Sequence, residues 1–324
     1  MISWIIFVIY IVIYTMLLNH VSWVRTRLKG LWSWQVAGQV LFLAGFVSIA
    51  ILAQRNLSIN LRQLGLPFSF DFLNSQASFN IREQPIPYNP NDSYQRAILI
   101  GLLNTVKVML ISISIATLVG FTVGISRLSS NWLLRQIATA YVEVLRNVPL
   151  LLLLFFCYTS LIALPQAPID GFGLFKDGFH LSGKTETLFS SEFCALVIGL
   201  SLSTAAFIAE IVRGGIAAID FGQREAAKAI GLSDAQVMRL VIFPQALRVI
   251  IPPLTGQYLN ITKNSSLAIA IGYEDVYAIA STTFNQTGRS IEVILLIMLI
   301  YLGLSSIVAA VMNYLNSRVR LVER

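Results

Sequence analysis

Charge is the first thing this chain is short of. Only 12% of its 324 residues are Asp, Glu, Lys or Arg, against about 25% in a soluble globular domain. Together with 56% hydrophobic residues, that scarcity excludes an ordinary water-soluble fold and makes a lipid bilayer the solvent for most of the chain. Histidine and cysteine are nearly absent. His20 and His180 are far apart and no H-E-x-x-H occurs, so a zinc site has nothing to build on. Cys157 and Cys194 fall in or beside apolar runs, and two thiols make neither a ligand spacing nor a dense disulfide framework. The net charge of +7 is not gathered on one soluble face, which argues against a nucleic-acid partner.

What is present is a series of long apolar runs. Residues 2–18 and 34–52 each approach the ~20 residues that a spanning helix needs. The first has no basic region before it and no A-x-A-like site after it, so it reads as an uncleaved helix, not a signal peptide. Residues 54–96 are polar, with Pro85, Pro87 and Pro90 close together, and read as an external loop that carries at most short helices. Further spans are expected at 97–125, 148–164, 193–211, 247–261 and 291–315, the second of these preceded by an amphipathic stretch, 131–147, that runs straight into it. Pro252 and Pro253 are expected to break the early turns of the 247–261 span.

Seven spans in order put residues 220–244 and the C-terminus on one side. That side holds twelve Lys and Arg against seven on the other, with four more in or beside spans. The positive-inside rule then makes 220–244 and the C-terminus cytoplasmic and leaves the N-terminus outside.

Residues 220–244, DFGQREAAKAIGLSDAQVMRLVIFP, form a polar island between apolar segments. Asp220 with Gln223, and Ser233 with Gln236, make two capping-box patterns. Gly231 sits between them, where a helix end calls for a left-handed residue. Arg224 and Lys228 share one face at i, i+4, and Ala226, Ala229 and Ile230 share another, so the stretch reads as helix, tight turn, helix. Glu225-Ala226-Ala227, three residues, Gly231, nine residues and Val241-Ile242-Phe243-Pro244 resemble the E-A-A-x3-G-x9-I-x-L-P loop of bacterial ABC-importer permeases. Val241 and Phe243 depart from that pattern by apolar exchanges. Glu143, Arg146, Pro149, Leu150 and Leu151 resemble the same family's E-x-x-R-x-x-P-L-L block, and KNSSLAIAIG from Lys263 resembles its K-(D/N)-(T/S)-S-L turn. FNQTGRSIEV and IPYNPNDSYQRA look like the broad-specificity L-amino-acid branch.

The resemblance implies an all-α membrane protein with a type I permease core of five transmembrane helices, here preceded by about two extra N-terminal helices. The resemblance covers residue 97 onward, so with the apolar and polar runs before it the chain divides into 1–53 (two helices), 54–96 (external loop) and 97–324 (the permease domain). It further implies a bacterial inner-membrane subunit of an amino-acid importer that works beside cytoplasmic ATPase subunits, a second permease subunit (identical or sister) and a periplasmic binding protein. ATP and Mg would be held by the ATPase and no cofactor by this chain. Gly222, Glu225, Ala226, Ala227, Gly231 and Pro244 would couple to the ATPase. Ionisable and polar residues at membrane depth usually face a cavity or a partner. Asn104, Arg146, Glu210, Lys263, Ser265 and Ser266 are the candidates for lining the substrate pathway, and Glu143 with Arg146 has the spacing of a helix-surface ion pair.

Three other readings have less behind them. GFHLSGKT, residues 178–185, matches the phosphate-loop pattern, but that pattern works only between a buried strand and a helix, and neither is expected here. An ion-coupled secondary amino-acid transporter would show an inverted repeat and acidic residues at mid-membrane, and neither is visible. An intramembrane enzyme would need a nucleophile with its base, or metal ligands, inside the spans.

Overall fold

A computed structural model of the chain describes residues 34–63, 68–163, 172–175, 178–181 and 187–319. The expected first span, the basic residues after it and the last five residues lie outside them. Residues 1–68 form one unit and residues 69–324 another. The described part of the first unit is one helix, α1 (Trp34–Gln63), of which Gly38–Asn56 is long and apolar enough to cross a membrane. It runs on past Leu52 to Gln63.

The second unit begins with an ordered segment, 69–93, carrying a short 3-10 turn at Asp71–Asn74. There follow α2 (Tyr94–Ser126), α3 (Trp132–Asn147), α4 (Leu150–Ala163) and α5 (Ser191–Ala217). Next come α6 (Phe221–Ala229), α7 (Phe243–Asn264), α8 (Val276–Thr287) and α9 (Ser290–Val319). Among the described residues, α1, α2, α5, α9 and the segment Asp234–Ile271 around α7 are long and apolar enough to span, and the pair α3–α4 makes a sixth if it is one bent span. Inside hydrocarbon only helices satisfy every backbone group within the segment, which is why the apolar runs fold this way.

Four local departures from the expected pattern have physical causes. The stretch 131–147 does not run straight into 148–164: α3 and α4 meet at a 108° bend. Val148 is extended (φ −87°, ψ 127°), as a residue before a proline prefers to be, and Pro149 lacks the N–H that would continue the ladder. Conversely, α7 passes unbroken through Pro252 and Pro253, because buried Ile250 and Leu254 on its inner face hold it to the core. Beyond α7 the chain tightens into a 3-10 segment, Ser265–Ile271, ended by Gly272 at φ +77°, before α8. Between α4 and α5, β1 (Phe172–Phe175), β2 (Gly178–Leu181) and β3 (Thr187–Phe189) form a small antiparallel sheet. Gly178 thus opens a hairpin strand, and a third strand, not a helix, follows the phosphate-loop look-alike.

α5 is the central post. Its Ala205, Ile208, Val212 and Ile216 pack with Ile242 just before α7, with Ala246 and Ile250 at its start and with Val308 and Met312 of α9. α2 crosses α5 closely because it carries glycine at the crossing: a Cβ at Gly120 would lie 2.6 Å from Ile208 Cβ. With no hydrophobic drive between helices in lipid, such small-residue contacts supply the packing that holds spans together.

Candidate functional site

The polar island is a rigid helix-turn-helix. Asp220 caps α6 by accepting from the Gly222 N–H at 2.8 Å, so the first capping pattern closes on Gly222 and not through Gln223. At the other end Gly231 has φ +86°. Its N–H donates to Lys228 O at 2.9 Å and the Leu232 N–H to Ala227 O at 3.2 Å, the paired bonds of a left-handed helix stop. Gln236 then accepts from the Ser233 N–H at 2.9 Å, and Lys228 pairs with Asp234 at 2.7 Å across the turn. Asp234–Gln236 leads through a π-helical stretch, Val237–Ile242, directly into α7, with Pro244 in its first turn.

The anchoring of this element is one-sided. Ala227, Val237 and Ile242 are buried in the core that contains α5 and α7. Gly222, Glu225, Ala226, Ala229 and Gly231 are exposed, and so are the large apolar side chains of Phe221 (68%), Ile230 (78%) and Leu240 (60%). Of the alanines in the E-A-A motif, Ala227 therefore locks the helix to the bundle while Ala226 belongs to the outer surface.

At the same end of the bundle, charges from three helices converge. Glu210 of α5 is bonded by Arg127, which caps α2, and by Arg213 at 2.5 Å, and Arg146 of α3 stands 3.9 Å away. The Arg146 guanidinium lies over the Phe207 ring, 5.4 Å from its centre. Arg146 is thus turned toward α5, and Glu143 on its own helix is exposed and in no ion pair among the described residues. Three arginines around one carboxylate leave this end of the helices strongly positive.

The structure places Asn104 elsewhere. Its side chain is fully buried, its Nδ2 donating to the carbonyls of Glu83 and Glu274 at 3.0 Å each. It pins the segment 69–93 over the N-terminal ends of α2, α8 and α9, where Phe72, Ala77 and Ile81 pack on Ile98, Val276 and Val293. A charge network missed by sequence reasoning completes this cap. Lys107 pairs with Glu83 at 2.9 Å and lies over Phe189 and Phe193, Glu83 also accepts from the Ser190 N–H at 2.8 Å, and Arg82 reaches Glu192 at 2.8 Å. Asp275 caps α8 by accepting from Ala278 N–H at 2.8 Å, and burial pushes its carboxyl up to about 6. The partners of Lys107 and Arg82 are distant in sequence, so no local pattern could announce those pairs.

The remaining candidates lie on or beside α7. Ser265 is buried and bonded to Thr262 O, and Ser266 to Lys263 O, both at 2.8 Å. Lys263 is exposed, at the end of a single stripe formed by Val249, Pro252, Pro253, Gly256, Asn260 and Lys263. Spacings of three and four residues put all six on one helix face. On α9, by contrast, the exposed large side chains between 294 and 307 are Ile294, Met298, Leu299, Leu302 and Ile307, with only Ser306 polar among the exposed residues there. Hydrocarbon suits the second face and not the first. Each proline also leaves a carbonyl one turn back without its helix partner, and those carbonyls call for water or protein.

A bundle of spans interrupted by an exposed, stiff helix-turn-helix, with one polar face on an otherwise apolar span, is the build of a membrane transport component. The chain belongs to the family of binding-protein-dependent transport system inner membrane components, which matches residues 116–321. It is a multi-pass inner-membrane transporter subunit, and that family sets aside the ion-coupled alternative. It is 36% identical to the general L-amino acid transport system permease protein AapQ of Rhizobium johnstonii, over 88% of this chain and 92% of that one. To the glutamate/glutamine/aspartate/asparagine transport system permease protein BztB of Rhodobacter capsulatus it is 34% identical, over 90% and 93%. A crystal structure of an amino acid ABC transporter shares 29% identity and superposes with a TM-score of 0.57, covering 69% of this chain and 95% of that one.

Proposed function

We propose that this chain is one permease subunit of an ATP-driven amino-acid importer and that the polar face of α7 lines the pathway it forms with a second permease subunit, identical or sister. That face carries the reading: a stripe of Pro, Gly, Asn and Lys beyond Val249, left uncovered by the chain's own fold on a span that lipid surrounds, needs water beside it. Arg146 and Glu210 brace the inner end of the pathway. The relatives' names support amino acids as the cargo. ATP and Mg are held by a separate cytoplasmic ATPase, and a binding protein delivers the cargo from outside. The N-terminus lies outside and the C-terminus in the cytoplasm. Gly222, Glu225, Ala226, Ala227, Gly231 and Pro244 form the coupling element, whose buried side is continuous with α5 and α7, so a push on its outer side is passed to the pathway helix as a rigid-body movement.

Cysteine reactivity tests the pathway. In a background without Cys157 and Cys194, Asn260→Cys should react with a water-soluble thiol reagent in the assembled complex, and the adduct should stop uptake. Leu302→Cys, on the lipid-facing side of α9, should not react. Equal inertness of the two positions would place the α7 stripe in lipid and remove the basis for this reading.

A further inference from the structure

Two side chains of opposite charge, Glu143 of α3 and Arg248 of α7, have no partner in the chain's own fold. Glu143 is exposed and its carboxylate accepts no hydrogen bond among the described residues. Arg248 is half-buried, its Nε is buried without a partner, and it enters no ion pair among the described residues. Ionisable groups at membrane depth are costly and pair with one another or face a cavity. Glu143 does not stand alone on its helix. Spacings of seven and four residues put Gln136, Glu143 and Asn147 on one exposed line of α3. The exposed line beside it, Leu133, Ile137 and Val144, is apolar. Lipid suits the second line, and the first calls for a polar neighbour.

The two charges lie at nearly one depth. Arg146, one turn along from Glu143, stands 3.9 Å from Glu210 of α5. Ile250, two residues beyond Arg248, fits against Gly215 of α5. From Glu210 to Gly215 is about 7.5 Å along a helix, a gap that an arginine side chain bridges. Lys263 lies about 22 Å farther along α7 than Arg248, well away from that depth. Arg146 is not the missing partner, because its guanidinium is turned to Phe207 and Glu210. Two permease subunits inserted the same way round are related by an axis along the membrane normal. Such an axis moves a group sideways and leaves its depth unchanged.

We propose that the line Gln136–Glu143–Asn147 is a contact surface for the second permease subunit, on which Glu143 takes a basic side chain at the depth that Arg248 occupies here. The inference rests on the two-permease reading above. For an identical subunit the cation is Arg248 itself, and the contact occurs twice about the axis. For a sister subunit it is the basic residue that the sister carries at that depth. Out of water, such a pair is held far more strongly than on a soluble surface, so it fixes how the two subunits face each other.

The test uses the assembled transporter in mild detergent. A photo-reactive residue in place of Gln136 should join this chain to the second permease subunit, and one in place of Ile137 should not. Glu143→Lys should lower the share of permease recovered as a pair by at least about tenfold, and Glu143→Gln by less. Exchange to Glu of the basic residue facing position 143 (Arg248→Glu for identical subunits) should restore pairing to Glu143→Lys. A role for Glu143 confined to its own chain would not be repaired from the other one. Capture of the ATPase, or of nothing, at position 136 would overturn the inference. So would wild-type pairing of Glu143→Lys, or a loss that the second exchange leaves unrepaired. A wild-type complex holding a single permease chain would remove the two-permease reading as well, whereas two chains without the adduct at 136 would remove this inference alone.

Discussion

Gly231→Val is expected to leave a permease that inserts and folds but no longer holds its ATPase, with uptake reduced by at least about tenfold. The turn is built on the φ of +86° at this residue, a region that a β-branched residue enters only at a cost of about 1–3 kcal/mol. Nothing lies within 4 Å of a Cβ placed there, so the effect is conformational and not a clash. Relief of the strain breaks the two hydrogen bonds that stop α6 and swings Ile230 away from Leu232, whose own side chain packs on the core. The bundle, anchored separately through Ala227, Val237 and Ile242, stays intact. Gly231→Asn, tolerant of the same backbone, should be milder, and so should Glu225→Gln, which alters charge and little shape. Co-purification of the ATPase with each variant gives the result; retention by Gly231→Val at the wild-type level would make the turn dispensable.

Removing the lone carboxylate from the arginine cluster should have the largest effect on stability. Glu210→Ala leaves Arg127, Arg146 and Arg213 facing one another, and the Arg127 Nε is already buried without a partner. Stripping one partner from a fully buried ion pair costs about 3–5 kcal/mol, and because the Glu210 side chain is 28% exposed the loss here is set lower, at about 2–3 kcal/mol. The midpoint of thermal unfolding in detergent should fall clearly, and the double variant Glu210→Ala with Arg127→Met should recover part of the loss by removing the repulsion. An unchanged midpoint in the single variant would mean that the cluster does not hold α2, α3 and α5 together.

What could be read in advance was what local chemistry decides. The apolar runs among the described residues became helices, and Gly231 took the left-handed conformation that its place between two cap signals requires. The two cap signals and the i, i+4 faces between residues 220 and 244 found the helix-turn-helix, and the E-A-A spacing found the family. The sequence pattern could not say which alanine faces inward, since Ala226 and Ala227 differ only in their angle to a core made by residues far along the chain. The same ambiguity hides the difference between Asn104 and Asn260. Both are amides on apolar helices, yet one is sealed beneath the segment 69–93 and the other lies on an open face. The α3–α4 bend had a local sign, Pro149, whereas Pro252 and Pro253 carry the same sign and produce no break, because packing at Ile250 and Leu254 outweighs two missing hydrogen bonds. The Lys107–Glu83 and Arg82–Glu192 pairs join residues 24 and 110 positions apart, beyond any periodicity.

The central claim, that residues 220–244 carry the movement of a cytoplasmic ATPase into the spans, is tested most directly by cross-linking from Ile230, the most exposed of the large apolar side chains at the turn. With a photo-reactive residue at position 230 of the assembled transporter, illumination should join this chain to the ATPase subunit. In the same membranes Ser75→Cys should react with an impermeant thiol reagent added outside. Failure of position 230 to capture the ATPase, together with labelling of Ile230→Cys from outside the intact cell, would contradict both the orientation and the coupling role.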